Sequence, residues 1–121
     1  MPRLRPAVAI FLLTIAVRGF LLSRTPDYEF LYGRMTPNGF LSGEEGINVA
    51  VALASRGEFA DPFAAPTGPT AHLPPAYPFV TAGVFRLFGY GHTAALVRNG
   101  INIAGFGLLY ASFPAAAAAL G

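Results

Sequence analysis

The chain has 121 residues, 54% hydrophobic and 12% charged, with a net charge of +2. Soluble domains carry about 25% charged residues, so half that share points to a lipid environment. The absence of Cys excludes disulfide frameworks, thiol chemistry and Cys-type zinc sites. The few scattered Arg exclude a nucleic-acid surface, and His72 and His92 are too isolated to make a metal site by spacing.

The first apolar run covers 7–23, preceded by Arg3 and Arg5 and interrupted by Arg18 near its outer end, where a long side chain can snorkel to the interface. A basic start, an apolar stretch and a polar continuation also describe a cleaved signal peptide, but no small-x-small cleavage site follows. The loop 24–72 holds all six acidic residues and the turn sequence Thr36-Pro37-Asn38-Gly39. Within it, Ser42-Gly43-Glu44-Glu45 fits a capping box with Ser42 as N-cap and Glu45 at the third helical position. Ile47, Ala50, Val51 and Ala54 follow as one apolar stripe, and Gly57 is a natural stop. This predicts an amphipathic juxtamembrane helix, lying on the membrane surface or on other helices.

Pro74-Pro75 opens the second apolar segment, 75–88, which is short for a span. After the turn Gly89-Tyr90-Gly91, the third runs over 94–120, with Gly100/Ala104 and Gly107/Ala111 allowing close helix packing and Pro114 expected to kink it. The predicted fold is therefore an all-α membrane protein of about three transmembrane helices, with the juxtamembrane helix in a long outer loop. Arg3, Arg5, Arg86 and Arg98 put the N-terminus and residues 89–92 in the cytoplasm and the loop 24–72 outside.

A carboxylate at a helix start is held as the anion by the dipole and the free N–H groups. Glu45 is thus explained as a capping residue and Glu44 as a first-turn charge, while the same placement suits hydrogen bonding of a hydroxyl or binding of a metal. The order of motifs adds to this. Gly43-Glu44-Glu45-Gly46 leads through Leu53-Ala54-Ser55-Arg56-Gly57-Glu58-Phe59 to His72, Pro74-Pro75-Ala76-Tyr77-Pro78 and Val84-Phe85-Arg86-Leu87-Phe88-Gly89. The series resembles the N-terminal region of the GT-C glycosyltransferases, the polytopic enzymes that include protein O-mannosyltransferases and aminoarabinose-lipid A transferases.

The resemblance implies a plasma-membrane enzyme of bacterial type and a sugar donor carried on a polyprenyl phosphate. It implies inverting transfer at the outer face, with an acid of the first outer loop orienting or deprotonating the acceptor hydroxyl. It makes Glu45 the expected base, with Glu44 the alternate, and leaves a divalent cation open. Two departures stand out. Many members begin the acidic motif with Asp, and many place Lys directly before the Pro pair, where this chain has Leu73 with His72 one further back. His72 can partly replace that phosphate contact, or be a solvated loop residue. Arg24, Arg34 and Arg56 can each bind an anionic head group or serve as interfacial anchors. Tyr77 is a candidate substrate contact and equally an interfacial aromatic, and Asp61, before Pro62, reads as a turn residue. Three spans fall short of the number the resemblance implies, so residues 1–121 are expected to be the N-terminal part of such an enzyme, inactive alone. The competing reading is a small non-catalytic membrane protein that packs on a partner through its Gly/Ala faces.

Overall fold

The computed structural model describes residues 4–24, 34–35, 41–42, 45–63 and 65–120. In chain order these form helix α1 (Leu4–Arg24), strands β1 (Arg34–Met35) and β2 (Leu41–Ser42), and helices α2 (Glu45–Arg56), α3 (Ala76–Phe88) and α4 (His92–Ala119). The two strands pair antiparallel, Arg34 with Ser42 and Met35 with Leu41. They flank the expected turn at 36–39, which lies outside the described residues. The chain divides into two compact units: residues 1–26 with 99–121, and residues 27–98.

In the first unit, α1 and α4 are the two helices long and apolar enough to cross a membrane. Their apolar side chains remain open: Leu12, Leu13, Phe20 and Leu21 on α1, and Leu108, Leu109 and Phe113 on α4. A core helix of a soluble protein buries one such stripe; α1 buries none of its described residues, and α4 buries Ala94, Ala95 and Arg98 near its start and leaves the apolar residues beyond them mostly open. Among the small residues expected to mediate packing, Gly107 has the closest neighbour. A Cβ there would stand 2.8 Å from the Phe11 ring, whereas one at Gly100 would meet nothing. Pro114 lies within α4, which continues past it to Ala119.

The two helices run antiparallel. Phe11 meets Gly107, while later positions of α1, from Val17 to Leu22, face earlier positions of α4, from Asn99 to Phe106. Three alternating crossings would set the first and third helices parallel. The segment expected as the middle span is α3, whose 13 residues extend about 20 Å at 1.5 Å per residue, short of a ~30 Å hydrocarbon core. Of the three expected spans, α1 and α4 have the length and apolarity of a crossing, and α3 is a shorter apolar helix. Apolar content marked α3 as a span because periodicity does not say whether a face meets lipid or protein.

The second unit is built on α2 and α3. Ile47, Ala50 and Leu53 of α2 pack with Ala82, Val84 and Phe85 of α3 and with Ala94 in the first turn of α4. Four consecutive residues of α2, Ile47 to Ala50, are buried, so this helix is enclosed more fully than a surface-lying one. Its first turn lies against the start of α3, where Gly46 faces Tyr77. Its last turn lies against the end of α3, where the Arg86 guanidinium donates to the carbonyls of Leu53 (2.9 Å) and Ala54 (3.3 Å). α2 and α3 therefore run parallel, and the connection 57–75 must travel back the full length of α2. Arg86, counted above as a topological signal, caps a helix end whose carbonyls carry partial negative charge; Arg98 is buried.

Both helices stop at glycines in the left-handed region, Gly57 (φ 76°) and Gly89 (φ 74°), whose N–H groups donate to Leu53 and Phe85. Only glycine adopts that conformation without a Cβ penalty. At the other end of α2 the described residues resume at Glu45, with Ser42 paired in β2; the expected capping box from Ser42 to Glu45 runs through residues 43–44, which lie outside the described residues.

Candidate functional site

The return connection 57–75 is folded around one side chain. Asp61 sits in the left-handed region (φ 56°), where Asp is better tolerated than most residues. Its Oδ1 accepts hydrogen bonds from the backbone N–H groups of Thr67 and Gly68, each at 2.8 Å, and its Oδ2 is bonded to the Arg56 guanidinium. The backbone closes the same way, with Asp61 N–H on the Gly68 carbonyl (3.0 Å) and Thr70 N–H on that of Phe59 (3.1 Å). From α2, the buried Asn48 amide donates to the Pro62 carbonyl at 3.0 Å. The Gly68 N–H holds the Asp61 carboxyl below its ordinary value of 3.8, with Thr67 and the Arg56 charge acting the same way and burial opposing them. The expected turn residue is thus the clasp of the whole loop.

That clasp returns the chain to the N-terminus of α2. His72 Nε2 lies 2.9 Å from Glu45 Oε2 and His72 Nδ1 lies 3.0 Å from Thr70 Oγ1. The imidazole stacks on Phe63, with centroids 5.8 Å apart and planes 18° apart. With Glu45 ionised, Nε2–H donates to the carboxylate and Nδ1 accepts from the Thr70 hydroxyl; the hydrogen-bond network assigns this tautomer. Tyr77 completes the wall. A Cβ on Gly46 would come within 2.9 Å of the Tyr77 ring, so glycine beside Glu45 is what admits the aromatic. The Glu45 and His72 side chains remain 45% and 49% exposed, so both are open to an incoming hydroxyl.

Two of the sequence-derived candidates, Glu45 and His72, come together, and a third, Tyr77, stands against Gly46 next to Glu45. Arg56 does not join them. It stands at the opposite end of α2, eleven residues or about 16 Å along the axis, and is paired with Asp61 and with Glu58 (3.4 Å). Glu44 lies outside the described residues. Sequence reasoning did not reach Thr70, Phe63 or the clasping role of Asp61. The spacing Thr70-x-His72 was the available signal for the first, and Gly46 next to Glu45 signalled a close approach. Among the described residues, no group of three His, Asp or Glu side chains is placed to hold a metal ion.

In chemical terms the cluster is a half-exposed carboxylate whose geometry is held by an imidazole, which is held in turn by a hydroxyl and a phenyl ring. Such an arrangement can accept a proton from, or orient, a hydroxyl brought to it. No family model matches the chain, and no curated protein or solved structure matches it.

Proposed function

We propose that the chain is a membrane-embedded part of a glycosyltransferase of the GT-C type. In this reading Glu45, oriented by His72, acts on the acceptor hydroxyl while sugar is transferred from a polyprenyl-phosphate donor. The observation that carries the reading is the Glu45–His72 contact across 27 positions of sequence, which joins two residues the motif resemblance had singled out independently. A base of this kind contributes about 10²–10⁴ in rate. Tyr77 lines the acceptor side, and contacts to the donor come from outside this cluster. The membrane reading is supported by the open apolar faces of α1 and α4, which need lipid to cover them.

Two antiparallel crossings put the joining segment 25–91, with the cluster, on one face of the bilayer. We assign that face as the outer one. The assignment follows from the transfer reading, which sets the cluster at the outer face, and Arg3 and Arg5 at the start of α1 agree with it, while Arg24, Arg34 and Arg86 near the ends of the joining segment count the other way. Residues 89–92 then lie outside, opposite to the expectation from Arg counting. Within its own unit, α3 packs one side against α2 and leaves Phe79, Val80 and Leu87 exposed.

The test is complementation in cells lacking the full-length enzyme that carries this region, with each substitution made in that full-length gene. The unaltered gene should restore one glycosylated product, Glu45→Gln should lower it about a hundredfold or more, and Glu58→Gln, an exposed acid outside the cluster, should leave it unchanged. Equal product from the Glu45→Gln gene removes the catalytic assignment and leaves the non-catalytic membrane protein as the better reading.

A further inference from the structure

The α1/α4 unit holds a feature that glycosyl transfer at Glu45 does not use. Between the helices lies a recess of about 520 Å³, lined by Arg18, Asn99, Asn102 and Phe106 and by the apolar Val17, Leu21, Leu22 and Ile103. Its size is within the ~300–1,000 Å³ of small-molecule sites. The Arg18 guanidinium does not run up its own helix toward water. It crosses to α4 and lies 3.9 Å over the Phe106 ring, whereas that of Arg24 rests on Phe20 of its own helix. Neither stretch of sequence forming this unit, 1–26 or 99–121, contains an Asp or Glu, so the unit supplies no carboxylate for this cation. Asn99 and Asn102, three apart on one helical face, line the same recess, and the Asn99 Nδ2 is buried without a hydrogen-bond partner. A cation and a donor that lacks its acceptor, set in apolar walls, describe a receptor for an anion with a hydrocarbon tail.

We propose that Arg18, Asn99 and Asn102 bind the phosphate of an anionic phospholipid, whose chains run along Val17, Leu21 and Ile103. A planar guanidinium fork matches phosphate oxygens in two places at once, and the Asn99 and Asn102 side chains add amides to the same lining. Arg18 is six residues from the end of α1, about 9 Å along the axis, a depth a lipid phosphate reaches with modest local sinking of the head group. Charge selects the lipid: a zwitterionic head group carries its own cation to a site that already holds one. The inference rests on the two-crossing part of the reading above and not on sugar transfer.

The experiment is native mass spectrometry of the 121-residue chain, released from nanodiscs of equal phosphatidylglycerol and phosphatidylcholine. The chain should retain one phosphatidylglycerol in preference to phosphatidylcholine. Arg18→Gln should lower that retention about tenfold or more, since hydrogen bonds to charged groups are the strong ones, and Arg18→Lys should lower it less. Asn99→Ala with Asn102→Ala tests the site with the charge left in place and should also lower retention, which covers the case that Arg18→Gln does not fold. Equal retention of the two lipids, or unchanged retention in the Asn pair, overturns the proposal. Displacement of phosphatidylglycerol by millimolar inorganic phosphate would show a phosphate site with no need of a lipid, and overturns the lipid assignment. Insertion with 25–91 on one face but without bound anionic lipid would sink this proposal alone.

Discussion

The two units solve the same problem, what to do with apolar side chains, in opposite ways. In the α2/α3 unit, Ile47 is 1% exposed and faces protein; on α1, Leu13 is 64% exposed and faces outward. Leu13 sits in a continuous apolar run and Ile47 on the apolar stripe of a mixed helix. The difference lies in what surrounds the helices. α2 and α3 are tied at both ends, by Tyr77 on Gly46 and by Arg86 on the last carbonyls of α2. α1 and α4 meet mainly through Phe11 on Gly107 and Arg18 on Phe106. A region held by its own packing stores its stability internally, and a region that packs thinly must take it from the solvent around it.

The sharpest way to break this comparison is topological. The chain has no cysteine, so single cysteines at Glu58, Tyr90 and Ala116, all exposed, can be labelled in membranes with an impermeant maleimide. Glu58→Cys and Tyr90→Cys should react from the same side and Ala116→Cys from the other. Labelling of Glu58→Cys and Tyr90→Cys from opposite sides would restore a third crossing through α3.

The next test compares truncations. Ile47→Ala should cost about 2–5 kcal/mol of unfolding free energy, the range for deleting buried aliphatic groups, while Leu13→Ala should stay within ~0.5 kcal/mol in detergent. Equivalent losses, measured by thermal melting, would mean that α1 packs against protein after all.

The smallest effect concerns acid. Asp61 has a lowered folded value, so its stabilisation is complete above 3.8 and disappears as pH falls through the lower folded one. Between pH 7 and pH 4 the clasp should hold; below that, its contribution should fade. Asp61→Asn should flatten this acid limb while lowering stability at neutral pH, because the amide keeps an acceptor for Thr67 or Gly68 but loses the ion pair with Arg56.

Much of the helical framework was legible in the sequence. The apolar runs located α1 and α4 to within a few residues, and Gly57 and Gly89 marked real helix ends, since a left-handed stop is a local requirement that a residue type can announce. Helix α2 was found from the stripe Ile47, Ala50, Val51 and Ala54. What could not be read was partnership. Nothing in the run 75–88 tells that Ala82, Val84 and Phe85 face α2, and a positive charge such as Arg86 looks the same whether it faces water or a helix end. The candidate site shows the same limit. Glu45, His72 and Tyr77 were each visible as residue types, but their meeting depends on the parallel course of α2 and α3, a tertiary fact. Asp61 was seen as a turn residue because its local signature, Asp before Pro, is a turn signature; its span to Thr67 and Gly68 is not local.

That parallel course has a practical consequence for anyone shortening or grafting this region. A helical hairpin tolerates trimming of its bend, because the two ends to be joined are already neighbours. Here the linker must cover the distance from the tail of one rod to the head of the next, about 18 Å for the 12 residues of α2. A cut that removes the knot around Asp61 could still leave enough chain to make the trip, but it would deliver His72 with no fixed address.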